Sequence, residues 1–268
     1  MIVSNTIHNE NIELYRIMPL ERFLQMLTNH RNVLVKPFSW NDPFESLIKT
    51  ASIKDQNGDE YPFDESRWYG QCWTESPESD ALWQVFTKSK IARGVKIKTT
   101  SSLLKESLLV EELEDDKVFF LERVKYAKQS EDETVMDALT NTYSFEWGFE
   151  ENYNTLLFNE RFKDDLNIMG APLLLTKRFA FQHEKEVRLL CYCKGNQEGS
   201  TYTYEIANWK NFIEEVELDP WTPKGVDEAL SDILLQYDIR KKDGSPMRAT
   251  ISKLYQDCKA NIVYSPKF

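Results

Sequence analysis

Glycine is scarce in this sequence, nine residues in 268. That argues against a fold built on Gly-rich phosphate loops, where bare backbone must approach a phosphate closely. Cysteine is sparse as well. Cys72, Cys191, Cys193 and Cys258 include no Cys-x-x-Cys pair, and no histidine stands at zinc-finger spacing from them, so no metal site is expected. No run of about 18 apolar residues is present to span a bilayer. The first residues also lack a basic segment followed by an apolar core. Positive charge is in short supply, with 33 Lys and Arg against 44 Asp and Glu and a net charge of −11. Such a balance works against broad attraction to nucleic acid or anionic membranes. The expectation is a cytoplasmic protein with reduced thiols, no membrane partner and no broad nucleic-acid surface.

What is present is ordinary for a folded protein: 41% hydrophobic, 29% charged and 13% aromatic residues. The chain is long enough to bury a sizeable core, and residues 1–268 are expected to form a single domain. Lys36, Lys177, Arg178 and the run Arg240-Lys241-Lys242 are the candidates for a local basic cleft.

Along the chain, Ile12, Leu14, Tyr15 and Ile17 predict a short strand ending near Met18-Pro19 and carrying Arg16. Leu20 to Leu27 repeats its apolar residues at three and four, as an amphipathic helix does. Val33-Leu34-Val35 is a second strand, closed by Pro37. Asn41-Asp42-Pro43 is a turn signal pinned by Trp40 and Phe44, with Asp42 and Glu45 read as turn and cap residues. Tyr69 to Thr74 predicts a strand. A helix then starts near Ser76-Pro77, with Leu82, Trp83, Val85 and Phe86 on its buried side. Trp73 and Trp83 are of the residue types that most often fill cores. Val95 to Lys98 alternates as a half-exposed strand does.

Residues 131–170, acidic and aromatic, predict a helical insertion or lid. After it, Val187 to Cys193 is an apolar run of strand length, with Cys191 and Cys193 on one face as small buried hydrophobes. Glu184 and Glu186 stand at its start. A strand beginning at Glu184 puts both carboxylates on one face and Lys185 on the other. Arg188 then falls on the face of Glu186 and can neutralise it. Thr201 to Ile206 alternates like a strand and, across a Gly-bounded turn, predicts a hairpin with 187–193. The fold class is α+β, mixed and mostly antiparallel.

Leu14-Tyr15-Arg16 with the Leu20 to Leu24 helix, Asn41-Asp42-Pro43-Phe44-Glu45, Cys72-Trp73-Thr74 through Trp83, and His183-Glu184-Lys185-Glu186-Val187-Arg188 together resemble an uncharacterised bacterial family, domain of unknown function 2971. The likeness spans roughly residues 12 to 255 and names no reaction. A second resemblance does. ADP-ribosyltransferases of the Arg–Ser–Glu type carry an Arg on an early strand, an aromatic-Ser/Thr motif on a middle strand and a Glu at the start of a late one. Arg16, Thr74 after Trp73, and Glu186 follow that order, with Glu184 as the upstream acid.

This second resemblance implies a split-sheet core and NAD as substrate. It implies Arg16, Tyr15, Trp73, Thr74 and Trp83 as cofactor-binding residues, and Glu186 and Glu184 as catalytic ones. Arg16 would hold pyrophosphate and Thr74 a ribose hydroxyl. Glu186 would stabilise the oxocarbenium-like cation that forms as the glycosidic bond breaks, and Glu184 would deprotonate an acceptor. The acceptor stays open between protein, nucleic acid, small molecule and water, the last being plain NAD hydrolysis. A bacterial defence or toxin role follows by analogy alone. Two features depart from the pattern: Thr74 stands for the usual Ser, and the 131–170 block is long.

Two other functions compete. A metal-dependent nuclease would gather magnesium on Asp42, Glu45, Glu184 and Glu186, although Lys185 points away from the acids. A non-enzymatic sensor or adaptor would use the aromatic middle segment to bind a partner protein.

Overall fold

The computed structural model describes residues 2–3, 7, 10–40, 51–54, 59–86, 93–109, 116–128, 165–195 and 199–255. The strands in chain order are β1 Ile2–Val3, β2 Glu13–Pro19, β3 Arg31–Val35, β4 Ser52–Lys54, β5 Glu60–Pro62, β6 Trp68–Thr74 and β7 Gly94–Thr100. They continue with β8 Lys117–Arg123, β9 Lys125–Ala127, β10 Thr176–Arg178, β11 Glu186–Cys193, β12 Thr201–Glu205, β13 Glu215–Leu218 and β14 Ala249–Ile251. The α-helices are α1 Leu20–Asn29, α2 Asp80–Phe86, α3 Ser101–Glu106, α4 Ala171–Leu174, α5 Trp209–Phe212 and α6 Val226–Gln236.

Ten strands form one mixed, mostly antiparallel sheet, in which β1, β8, β11, β6, β2, β7, β13 and β14 follow one another. The apolar run that opens β11 explains its place at the centre. β6 and β8 flank it, and every one of its residues is buried. Val187, Leu189, Cys191 and Cys193 face one core together with Phe23 and Leu27 of α1, Leu104 of α3, Phe212 of α5 and Leu234 of α6. Leu190 and Tyr192 face a second core with Trp68, Phe120 and Leu174. Burying each such side chain stabilises the fold by about 1.5–3 kcal/mol, so a strand apolar on both faces belongs inside.

The feature that positions the site is a fork beside β6. On the side away from β11, that strand is shared between two partners. β2 meets it only at Tyr15 opposite Thr74, and β3 only at Val35 opposite Gly70. β2 continues along β7, and β3 pairs with β12. The helix α1 links the two arms, burying Phe23, Met26 and Leu27 at the expected spacing and ending at His30 in the left-handed region, φ 53°.

Four expectations need correction or lie out of reach. Glu184 is not in a strand: Phe179–Glu184 is a 3-10 helix, Lys185 turns the chain with φ 43°, and β11 begins at Glu186. The predicted hairpin is absent, because β11 already has neighbours on both sides and β12 pairs with β3 instead, Thr201 opposite Val35. The Asn41 to Glu45 turn and residues 131–164 of the helical insertion lie outside the described residues, and Leu166–Gly170 at its end is a 3-10 helix.

Candidate functional site: an arginine-lined cleft in the sheet fork

The fork opens a cleft of about 900 Å³, a size suited to a small-molecule ligand. Its walls come from β2, α1, β3, the middle of β6, Trp40 and the threonines Thr201 and Thr203 of β12. Among the described residues that line it there are three arginines, Arg16, Arg22 and Arg31, and no Asp or Glu. In a chain of net charge −11 this is a marked local reversal. Among the described residues Arg22 reaches only Gln25 Oε1, at 3.0 Å.

Arg16 is the most constrained of the three. Its Nη1 donates to Asn32 Oδ1 at 3.3 Å, and its guanidinium lies 5.9 Å from the Trp73 ring centre. Among the described residues it has no carboxylate partner. Desolvation pulls its pKa down to about 10, only partly offset by Cys72 and Tyr204 nearby. A half-buried cation without a counter-charge is costly unless something else supplies one.

Strand register decides which face each group occupies. Tyr15, Thr74 and Glu186 stand in one line across β2, β6 and β11, hence on one face. Arg16, one residue on, starts from the opposite face, that of Trp73. The fork brings the two sides together. Its cleft is lined by Gly70 and Cys72 from one face of β6 and by Gln71 from the other. Cys72 lies close enough to Glu186 to help hold its carboxyl ionised, and within electrostatic reach of Arg16.

Glu186 is 5% exposed and fully engaged. Arg188 Nε and Nη2 donate to its two oxygens at 2.7 and 3.2 Å, and Lys177 Nζ lies 3.1 Å away. Burial alone would raise its pKa, but the charges of Arg188 and Lys177 and the bonds from Arg188 and Cys72 outweigh that and hold it at about 2. Lys177 also binds Glu184 at 2.6 Å, so the two acids meet through one ammonium although only one of them is in the strand. Arg188 donates further to the Leu174 carbonyl at 2.6 Å and backs the Trp40 ring at 4.1 Å. Gly70 lets that ring settle on the sheet, since a Cβ there would lie 2.5 Å from Trp40 Cζ2.

The other expected residues stand apart from the cleft. Thr74 donates its hydroxyl to the Glu184 carbonyl at 2.5 Å and accepts from Ser76 N at 2.9 Å, so it ties the end of β6 to the 179–185 turn. Tyr15 is buried and bonds Glu13 at 2.7 Å; burial, then that bond, pushes its pKa up to about 12. Trp73 packs edge-on against Phe212 in the first core and donates to Gln71. Trp83 is fully buried with Ile17 and Leu82 and donates to Glu78 at 2.7 Å. Both indoles are core residues rather than cleft walls. Of the acids required by the nuclease reading, Glu184 and Glu186 are held by Lys177 and Arg188, and Asp42 and Glu45 lie outside the described residues. Among the described residues no helix is long and apolar enough to cross a membrane.

Sequence reasoning missed Arg22, Arg31, Asn32 and Gln71, and took Trp40 only as a pin for the turn. A polar Asn opening the apolar run Val33 to Val35 was the available signal for Asn32. Nothing local marks Gln71 or the two arginines.

No family model matches the chain, so the resemblance to domain of unknown function 2971 is not confirmed, and no curated protein matches it. Among solved structures it is similar to Thermus sp. 2.9 DarT in complex with NAD+, at 12% identity over 91% of this chain and 96% of that one, TM-score 0.35. The same protein in complex with ADP-ribosylated ssDNA matches at 11% identity, 94% and 98% coverage and TM-score 0.38. Its complex with carba-NAD+ matches at 13%, 91% and 97%, and 0.35. At TM-scores this low, the likeness carries no weight for fold or activity.

Proposed function

We propose that the forked cleft binds NAD and that the chain cleaves its nicotinamide–ribose bond, passing ADP-ribose to an acceptor or to water. The observation that carries this reading is Arg16. It is a desolvated guanidinium with no carboxylate partner among the described residues, in a cleft with two more arginines and no described acid. A pyrophosphate supplies the missing counter-charge, and a guanidinium binds it with charge-assisted, directional hydrogen bonds.

The chemistry is assigned to Glu186, behind Cys72 of the cleft wall, and to Glu184, which shares Lys177 with it. Glu186, ionised down to about pH 2, sets a fixed negative charge behind Cys72. A fixed charge of that sign favours the cation that develops on the ribose as nicotinamide leaves. Glu184, held by Lys177, takes the proton of the attacking hydroxyl or water. The order of Arg16, Thr74 and Glu186 along the chain agrees with the Arg–Ser–Glu resemblance. Thr74 then serves by fixing the strand end from which Cys72 and Glu186 are presented.

Calorimetric titration with NAD, paired with chromatographic assay of released nicotinamide, tests the reading. Wild-type protein is expected to bind NAD. Arg16→Gln is expected to weaken binding by about 10- to 100-fold, the worth of a hydrogen bond to a charged group. Glu186→Gln is expected to keep binding and lose nicotinamide release. Metal-dependent cleavage of nucleic acid without any response to NAD would transfer the assignment to the nuclease.

A further inference from the structure

Two carboxamides at the base of the cleft, Asn32 and Gln71, are 1% and 2% exposed and belong to one connected network. Its proton assignment follows from the ends inward. Trp73 Nε1 only donates, so the Gln71 atom 2.7 Å from it is the carbonyl oxygen Oε1. The Val33 carbonyl only accepts, so the Gln71 atom 2.9 Å from it is Nε2. Gln71 therefore offers Oε1 to Asn32 Nδ2 at 3.2 Å and Nε2 to Asn32 Oδ1 at 2.5 Å. Asn32 Nδ2 is also spent on the Tyr204 hydroxyl at 2.9 Å, which in turn meets Ser107 Oγ at 3.0 Å. Only one orientation of Asn32 satisfies these partners, and it turns Oδ1 toward Arg16 Nη1.

We propose that Asn32 and Gln71 are positioning residues, a neutral amide relay that fixes the Arg16 guanidinium in the cleft while leaving its charge open to an anionic ligand. The relay rests on the reading of Arg16 as the anion-binding group. A carboxylate at position 32 would hold the guanidinium equally well, but it would also supply the counter-charge and repel the ligand. A carboxamide does the first without the second. The relay runs through side chains from β6, β3 and β2, so the orientation set by a core indole reaches the cleft cation across the fork.

The test uses the near-isosteric variant Asn32→Asp in two backgrounds, wild type and Arg16→Gln, with sodium pyrophosphate and NAD as calorimetric probes. In the wild-type background the affinity for both is expected to fall at least about tenfold. In the Arg16→Gln background it is expected to change less than about twofold, because two groups that act through one contact are not additive. Equal losses in both backgrounds, or no loss in the first, would overturn the relay. A readout without ligand accompanies it. The Arg16 side-chain Nε–Hε resonance, assigned by its disappearance in Arg16→Gln, is expected to shift in Asn32→Asp and in Gln71→Glu. An unchanged resonance sinks the relay whatever binds. Should wild-type protein bind neither probe, the NAD reading falls and the resonance alone decides the relay. If Asn32→Asp does not fold, Gln71→Glu carries the resonance readout, because it removes the Nε2 donor to Asn32 Oδ1, an oxygen that Val33 N also holds at 3.1 Å.

Discussion

Replacing Glu186 by Gln should change how the stability of this protein depends on acidity. Its carboxyl falls from 4.5 to about 2 on folding, with the penalty of burial outweighed by Arg188 and Lys177. At about 1.4 kcal/mol per pH unit, that difference contributes about 3 kcal/mol to stability. A depressed carboxyl stabilises fully above its unfolded value, and the contribution is lost as pH falls from about 4.5 toward 2. The variant lacks this limb. At pH 7 it also takes the Glu186 charge away from the Arg188 guanidinium, 1% exposed, so the total cost is about 3–5 kcal/mol. Urea unfolding of both proteins at pH 7, 5, 4 and 3 measures the gap. It is expected to hold steady from pH 7 to 5 and to narrow by about 2 kcal/mol between pH 5 and 3. Other acids titrate alike in both proteins and cancel in the difference. Parallel curves across the whole range would show that Glu186 is not held ionised by its neighbours, and the electrostatic part of the proposed mechanism would go with it.

Gly70→Ala places a methyl 2.5 Å from Trp40 Cζ2 and 3.0 Å from Leu190 Cδ2, so it should lift Trp40 from Arg188 and destabilise by about 1–3 kcal/mol. An unchanged melting temperature would refute that packing. Thr74→Val removes the bonds to the Glu184 carbonyl and Ser76 N and should cost about 1–3 kcal/mol in denaturant, while Thr74→Ser should cost much less. Equal losses from both would count against the hydroxyl as the tie. Arg22→Gln and Arg31→Gln should each weaken NAD binding a few-fold and flatten its dependence on salt, since both are cations at the cleft rim. Salt slopes identical to wild type would place the anion elsewhere.

The elements that declare themselves by local pattern were legible. β11 follows from its apolar run, α1 from its three-and-four spacing, and the pairing of Arg188 with Glu186 from the period of a strand. What was not legible depends on partners far away in the chain. The hairpin expectation failed because the alternation of Thr201 to Ile206 says only that a strand forms, and its neighbour, β3, lies more than 160 residues upstream by the register Thr201 to Val35. The amide relay was hidden for the same reason, with Asn32 bonded across 39 residues to Gln71 and 172 to Tyr204. Lys185 was read as a strand residue because nothing about a lysine announces a left-handed φ.

The site also depends on pairing that the sheet leaves out. Arg16 and Glu186 originate on opposite faces, and in a continuous sheet a layer of backbone would lie between them. β2 and β6 share a single residue pair, so beyond Tyr15 the strands part, and Cys72 on the cleft wall lies near enough to influence both Arg16 and Glu186 electrostatically. Unpaired strand edges are costly when buried. Here β3 takes up part of the exposed edge of β6 at Val35 and Gly70, α1 spans the opening, and the remainder faces the cleft, where a ligand can use it. Zipping β2 onto β6 for two more residues would satisfy those backbone groups and close the cleft that Arg16 lines. The unmade ladder is therefore what opens the cleft and leaves Arg16 on its wall.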